Sequence, residues 1–359
     1  MSKARVLIVD DSTVVRAVLR EMLIADPEIE VVGEAADPYE ARDKIKATNP
    51  TVLTLDVEMP RMDGITFLRN LMRLNPLPVI MLSSLTSEGA ETTLQALEIG
   101  AVDYMPKPTA HDDERKLDAF QNELTTKVKN AAASYHKVKH LSRVKSAVKP
   151  KLASVTSANI GQLPKQAAIA IGSSTGGTEA LREVLQTLPT GLPPIVIAQH
   201  IPGSFSARLA ERLNTITKIR VVEAQNAQIL EPGHAYLAPG DAHLRVEKNG
   251  GILRARLGQD APINRHKPSV EALFDSLLDI NPAAVVAIML TGMGEDGAMA
   301  MRRLKDAGAY TICQDEKTSL VWGMPGAAVR YGAACEQTPL NKVGERVLRR
   351  FTTKQESKV

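Results

Sequence analysis

The chain has 359 residues, 44% of them hydrophobic and 24% charged, with a net charge of +3, more than one ordinary core holds and enough for two domains and a connection. Its apolar runs, such as 283–290, are far shorter than the roughly 20 residues of a membrane span, and the run Val6 to Val9 behind the N-terminus lacks the length of a signal peptide, which argues for a cytoplasmic protein without membrane insertion. The two cysteines, Cys313 and Cys335, have no metal-ligand spacing between them, which argues against a disulfide scaffold or a zinc site.

Strands and helices alternate along the first part of the chain. Arg5 to Val9 is an apolar run without polar alternation, as in a parallel strand covered on both faces. Ser12 to Ile24 follows as an amphipathic helix. Further strands are expected at Glu30 to Glu34, Thr51 to Asp56, Val79 to Ser83 and Asp103 to Pro106, with helices at Pro38 to Thr48, Gly64 to Asn75 and Glu88 to Ile99 between them. Five strands in strict alternation with helices imply an open parallel sheet, because right-handed crossovers put helices on both faces. Residues 1–125 read as this first domain.

Asp10 and Asp11 follow the first strand, Asp56 ends the third, Ser83 ends the fourth and Lys107 follows the fifth. Carboxyl ends of neighbouring parallel strands converge on the usual ligand crevice. Three carboxylates there repel one another and call for a hard divalent cation such as Mg²⁺. Metal and lysine would neutralise a phosphoryl group, the hydroxyl would ligate an oxygen, and one carboxylate would be the nucleophile. An Asp-Asp pair alone is more often a helix cap with a neighbour. The conjunction of all four strand ends favours the functional reading.

Residues 126–165 lose the alternation and read as a linker, partly helical near its start. No Asp or Glu occurs between Glu123 and Glu179, whereas Lys127, Lys129, Lys137, Lys139, Arg143, Lys145, Lys149, Lys151 and Lys165 do. A basic tract can bind nucleic acid. With few aromatic residues for stacking, a solvated linker is the better reading, and no nucleic-acid partner is expected.

From Ala167 the alternation returns. Ala168 to Gly172, Pro194 to Ala198 and Ala284 to Leu290 read as central parallel strands, and His234 to Asn249 as a hairpin-bearing insertion. This second domain is placed at 166–350, doubly wound and mostly parallel, with residues 351–359 as a tail. Gly172-Ser-Ser-Thr-Gly-Gly177 joins a strand to a helix expected at Thr178 to Leu188. It lacks the dinucleotide and P-loop spacings, and Gly172-x-Ser174-x-Gly176 fits the turn that exposes a nucleophilic serine. His200 and Asp296 also follow buried strands, so the three can converge as nucleophile, base and orienting acid. The glycine-rich stretch 292–297 could aim backbone N–H groups at an oxyanion. Spacing alone leaves His234, His243 and His266 as competing bases, and both His200 and Asp296 could be simple caps.

Two resemblances bear on these choices. Val-Leu-Ile-Val-Asp-Asp-Ser at 6–12, Leu-Asp-Val-Glu-Met-Pro-Arg-Met-Asp-Gly at 55–64 and Asp-Tyr-Met-Pro-Lys-Pro at 103–108 resemble response-regulator receiver domains of flavodoxin-like (βα)5 fold. That resemblance implies that Asp56 accepts phosphate from a histidine kinase and that Asp10, Asp11, Asp56 and the Glu58 carbonyl hold Mg²⁺. It also makes Ser83 and Tyr104 the switch residues, with Lys107 on the phosphoryl group.

From Ala168 to about Arg330 the chain resembles the catalytic domain of chemotaxis protein-glutamate methylesterases. The matching segments are 170–180, 198–202, 232–241, Asn-Arg-His-Lys-Pro-Ser-Val at 264–270 and Leu-Thr-Gly-Met-Gly-Glu-Asp-Gly at 290–297. By that resemblance Ser174 is the nucleophile, His200 the base and Asp296 the orienting acid. Met293 would supply an oxyanion N–H, Thr175 would lie close by, and this domain would need no cofactor. The substrates implied are methylated chemoreceptors, with glutamine deamidation as a second activity and receiver phosphorylation relieving inhibition. A transcription factor would need a basic DNA-binding module near the C-terminus, which the strand-rich second half does not offer. A binding-only pseudoenzyme would not need the intact Ser174, His200 and Asp296.

Overall fold

The computed structural model describes residues 3–83, 87–108, 113–139 and 160–352. The chain divides into two compact units, Met1–Pro150 and Lys151–Val359. Among the described residues no helix is long and apolar enough to cross a membrane.

The first unit is a five-stranded parallel sheet of β1 (Ala4–Val9), β2 (Ile29–Ala35), β3 (Val52–Asp56), β4 (Val79–Ser83) and β5 (Asp103–Pro106), in the order β2-β1-β3-β4-β5. Its crossovers are α1 (Thr13–Ile24), α2 (Pro38–Thr48), α3 (Gly64–Leu74) and α4 (Ser87–Ile99), and α5 (Glu114–Ala133) closes the unit. The apolar run Val6 to Val9 is fully buried, as expected of a central strand covered on both faces. Helix starts follow short polar side chains: Ser12 accepts from Val15 N–H, Asp37 from Tyr39 and Glu40 N–H, and Asp63 from Thr66 N–H. The strand order reverses between β1 and β3, which opens the crevice at their carboxyl ends.

Helix α5 runs through residue 125, where the linker is expected to start, and helix continues over 135–139. Lys127 and Lys129 therefore belong to the first unit and are not solvated linker charges. Lys127 Nζ lies 3.1 Å from Asp103 and 3.0 Å from Glu123, and Lys129 Nζ lies 2.8 Å from Asp26 and 3.1 Å from Glu28. Most of the expected linker, 140–159, and the tail 353–359 lie outside the described residues.

The second unit is a seven-stranded parallel sheet in the order β14-β13-β12-β6-β7-β9-β8. Its strands are β6 (Ala168–Ser173), β7 (Ile195–Gln199), β8 (Arg220–Glu223), β9 (His234–Leu237), β12 (Val285–Met289), β13 (Tyr310–Gln314) and β14 (Glu336–Thr338). Helices α6 (Gly177–Thr187), α7 (Gly203–Ile216), α8 (Val270–Ser276), α9 (Ala298–Asp306), α10 (Met324–Arg330) and α11 (Leu340–Phe351) complete the wrapping. Every residue of β6, β7 and β12 is buried. Helix α11 buries Val343, Val347 and Phe351, four apart along one face, and packs on α6.

The expected hairpin insertion at 234–249 is corrected in part. His234–Leu237 is a strand of the main sheet between β7 and β8, and the antiparallel hairpin is β10 (His243–Asn249) with β11 (Ile252–Gly258). The first and last described residues of the second unit are tied together: Ile160 and Thr352 form an antiparallel bridge, and Gly161 N–H donates to Phe351 O at 3.1 Å.

Candidate functional site

In the first unit Asp10 and Asp56 are buried at the ends of β1 and β3, and Asp11 is exposed beside them. Lys107 Nζ lies 2.8 Å from Asp10 Oδ2 and 2.7 Å from Asp56 Oδ2. One oxygen from each of Asp10, Asp11 and Asp56 falls within 4.8 Å of the others. Three carboxylates with a single ammonium on two of them leave an excess of negative charge on hard oxygen donors, a set that fits a divalent cation. Burial first, then the Asp10 charge, pushes the Asp56 carboxyl up to about 6 against the pull of Lys107. Burial draws the Lys107 ammonium down, but the two carboxylates outweigh it and hold it above its ordinary value.

The backbone is braced round this cluster. Ser12 N–H donates to Asp10 Oδ1 at 2.9 Å and Glu58 N–H to Asp56 Oδ1 at 3.2 Å. Arg16 on α1 clamps the carbonyls of Asp10 and Asp11 at 2.7 and 3.1 Å. The Ser83 hydroxyl lies 2.9 Å from that of Thr93, and Lys107 N–H donates to Ser83 O at 2.9 Å. Tyr104 is buried on β5, where burial holds its phenol well above the ordinary range. The Lys127 ammonium sits 5.4 Å from the Tyr104 ring centre and bonds the Tyr104 carbonyl at 2.7 Å.

In the second unit β6 pairs with β7 on one side and β12 on the other, in registers that set Ser173 beside Gln199 and Gly172 beside Met289. Ser174 and His200 are the next residues beyond the first pair. His200 N–H donates to Ser173 O at 3.1 Å, and Ser174 N–H donates to Thr291 O at 3.0 Å. The buried Gln199 amide locks this corner, since its Nε2 donates to Ser174 O at 3.0 Å and His200 O at 3.1 Å while its Oε1 accepts from Ser173 Oγ at 2.7 Å. Two glycines make the approach possible. Gly176 takes φ 74° at the start of α6, and a Cβ on Gly292 would stand 2.8 Å from the Ser174 Cβ.

His200 Nε2 lies 2.9 Å from Asp296 Oδ2. Asp296 is 1% exposed and collects four more donors: Asn264 Nδ2 at 2.9 Å, Ser269 Oγ at 2.8 Å, Val270 N–H at 2.7 Å and Glu271 N–H at 3.3 Å. Burial pushes its carboxyl up, but the His200 hydrogen bond and charge, then Asn264 and the Val270 N–H, outweigh it and hold the group at about 2. An ionised carboxylate only accepts, so the His200 proton sits on Nε2. Nδ1 is buried and has no hydrogen-bond partner among the described residues. An imidazole so held can serve as a general base through that nitrogen.

Met293 N–H has no acceptor among the described residues. Its loop is tied down, with Gly292 N–H donating to Val321 O at 3.1 Å and Gly323 and Met324 N–H donating to Gly292 O at 3.1 and 2.9 Å. Thr175 is buried, and its carbonyl accepts from Thr291 Oγ1 at 3.0 Å.

Of the competing histidines, His234 Nδ1 lies 3.1 Å from Pro232 O. His243 is buried between Ala261 O, 3.0 Å from its Nε2, and Ser269 N–H, which donates to its Nδ1 at 3.2 Å. His266 does reach the site, stacked on His200. Gln199, Asn264 and Ser269 carry no role in the sequence reading. Segment 264–270 has neither helical nor strand periodicity, and only the serine before Val270, a helix-cap signal, was there to find.

Comparison with known proteins agrees with this two-part layout. Residues 6–117 match the response regulator receiver domain and residues 169–347 the CheB methylesterase domain. The chain is 48% identical over 374 residues to a protein-glutamate methylesterase/protein-glutamine glutaminase of Hydrogenovibrio crunogenus, covering 97% of this chain and 99% of that protein. It is 52% identical over 351 residues to one from Xanthomonas campestris pv. campestris, covering 96% of each. The crystal structure of the Thermotoga maritima CheB methylesterase catalytic domain matches 51% of this chain and 97% of its own, at 35% identity and a TM-score of 0.50.

Proposed function

Because the chain belongs to the protein-glutamate methylesterase/protein-glutamine glutaminase family, with a receiver ahead of its catalytic domain, we propose that Ser174, His200 and Asp296 hydrolyse glutamate γ-methyl esters through an acyl-enzyme. The Ser174 hydroxyl attacks the γ-carbonyl carbon while His200 Nδ1 takes its proton. Asp296 stabilises the imidazolium through Nε2–H and holds the ring in one tautomer. The oxygen of the tetrahedral intermediate receives the Met293 N–H, with Thr175 alongside. The C–O bond to the methoxy group then breaks, and methanol leaves with the proton from His200. Water, deprotonated by His200, attacks the acyl carbon, the C–Oγ bond breaks as His200 returns that proton to Ser174 Oγ, and a glutamate carboxylate is left. A glutamine substrate follows the same route with ammonia leaving.

The observation that carries this reading is the state of His200, whose Nε2 is engaged by a buried, five-donor carboxylate while its Nδ1 is buried and unpartnered among the described residues. Ser174→Ala is expected to lower methanol release roughly 10⁴-fold or more with an unchanged thermal midpoint. Near-normal turnover in that variant rejects the assignment.

The same proposal makes Asp56 the phosphate acceptor. Its carboxylate attacks the phosphorus of a kinase phosphohistidine, forming P–O as P–N breaks. Mg²⁺ held by Asp10, Asp11, Asp56 and the Glu58 carbonyl would neutralise phosphoryl charge when bound. Lys107 meets a phosphoryl oxygen, and Ser83 and Tyr104 respond to it. Phosphorylation then relieves an inhibition that the receiver exerts on the esterase. The substrates in this reading are methylated chemoreceptors, met in the cytoplasm.

A further inference from the structure

One hydrogen bond at Nε2 fixes a point on the His200 ring and leaves its plane free to swivel, which would carry Nδ1 away from the serine. The plane is held by His266, whose imidazole lies parallel to that of His200 with centroids 3.8 Å apart and planes 11° from parallel. His266 closes a two-residue turn. Ile263 N–H donates to His266 O at 3.1 Å and His266 N–H to Ile263 O at 2.9 Å. Asn264 and Arg265 between them have φ 52° and 68°, the pair of left-handed residues that such a turn requires. The same turn sends Asn264 Nδ2 to Asp296 Oδ1 at 2.9 Å. One short segment thus grips the acid through a hydrogen bond and the histidine through a ring face.

From this cross-brace we infer that His266 is a positioning residue for the esterase reaction, holding the plane of His200 so that Nδ1 stays within reach of Ser174. The inference rests on the reading of Ser174, His200 and Asp296 given above. What the reaction uses in His266 is a flat ring, and its own protons are not transferred.

The test is steady-state methanol release from protein carrying glutamate γ-methyl esters, by the full chain, with thermal melting to count folded enzyme. Wild type is compared with His266→Ala, His266→Phe and His200→Ala. In His266→Ala, kcat is expected to fall roughly 10- to 100-fold with KM within about twofold. His266→Phe keeps a flat face on His200 and is expected to restore kcat to within about threefold of wild type. If His266→Ala does not fold, His266→Leu against His266→Phe makes the same comparison between a side chain without a flat face and one with it. A wild-type kcat in the Ala variant, or in Leu, overturns the role of His266 while inactivity of His200→Ala leaves the base in place. A Phe variant as damaged as Ala also overturns it, since imidazole chemistry and not the ring face would then matter. Turnover surviving in His200→Ala is a separate failure, which removes the base on which the inference stands.

Discussion

Asp56 at the end of β3 and Asp296 beyond the end of β12 are both buried, yet their carboxyl groups are pushed in opposite directions. Asp56 shares one ammonium with Asp10 and is raised by its burial to about 6. Asp296 is buried too, but its five donors bring it down to about 2. Two carboxylates set apart in this way suit different tasks. For Asp296 the folded value is below the ordinary 3.8, so its contribution to stability is present above that pH and lost as the pH falls through about 2. For Asp56 the sign reverses. Ionising it costs more in the folded state, so stability is lost as the pH climbs from 3.8 through about 6, by up to about 3 kcal/mol. Asp56→Asn is therefore expected to raise the urea midpoint of the receiver at pH 7.5 in EDTA, followed by hydrogen exchange in β1 and β3. The advantage should fade toward pH 4 and shrink when Mg²⁺ stabilises the wild type. Equal midpoints at pH 7.5 in EDTA would refute this account of the cluster. At this scale the strand-end residues Ser174, His200, Asp296, Asp10 and Asp56 stood out in the sequence because buried runs point at them. Asn264 and Ser269 drew no role, and His266 was singled out only as a competing base, because only tertiary folding brings segment 264–270 to Asp296 and His200.

Among the elements, the loop after β12 is tightly constrained by Ser174. Thr291 O holds the Ser174 N–H, and Gly292 leaves space that any side chain would fill. Gly292→Ala would set its Cβ 2.8 Å from the Ser174 Cβ and 2.4 Å from Met324 Sδ. Met324 has flexible torsions with which to yield, and the serine corner, pinned by Gln199, does not. The variant is expected to fold and to lose roughly 100-fold in kcat; methanol release at the wild-type rate would mean that the loop yields and the corner is looser than described. The central strands were legible for the physical reason that a strand covered on both faces must be apolar throughout. Strands β8, β9, β13 and β14 escaped that logic, β13 because it buries Thr311 and Gln314 among its apolar residues. Arg220 and Glu223 bracket β8, and β14 is a three-residue polar edge strand. Strand β9 carries a buried Tyr236 whose hydroxyl is satisfied by Ile229 O and Glu231 N–H, so a core strand looks like part of a polar hairpin.

For the whole molecule, the pairing of a receiver with an esterase makes a claim about rates. A fragment beginning near residue 150 is expected to turn over roughly 5- to 150-fold faster than the unphosphorylated full chain. A small phosphodonor should raise the full chain toward the fragment and leave Asp56→Asn unchanged. Equal rates for fragment and unphosphorylated chain would end the idea of inhibition. The division into two domains was legible from the return of strand-helix alternation after a stretch without it. The helix expected near the start of the linker is the second half of α5, which loses its acidic residues after Glu123 and so reads like linker in composition. The bridge between Ile160 and Thr352 has a consequence of another kind. The catalytic unit closes on itself, with its first and last described residues side by side, so a few residues of new peptide suffice to join them. Its order of elements is thereby free of its order in the chain, and the unit can be spliced into a surface loop of another protein, or reopened at one of its own, with the strand ends that carry the chemistry left where they are.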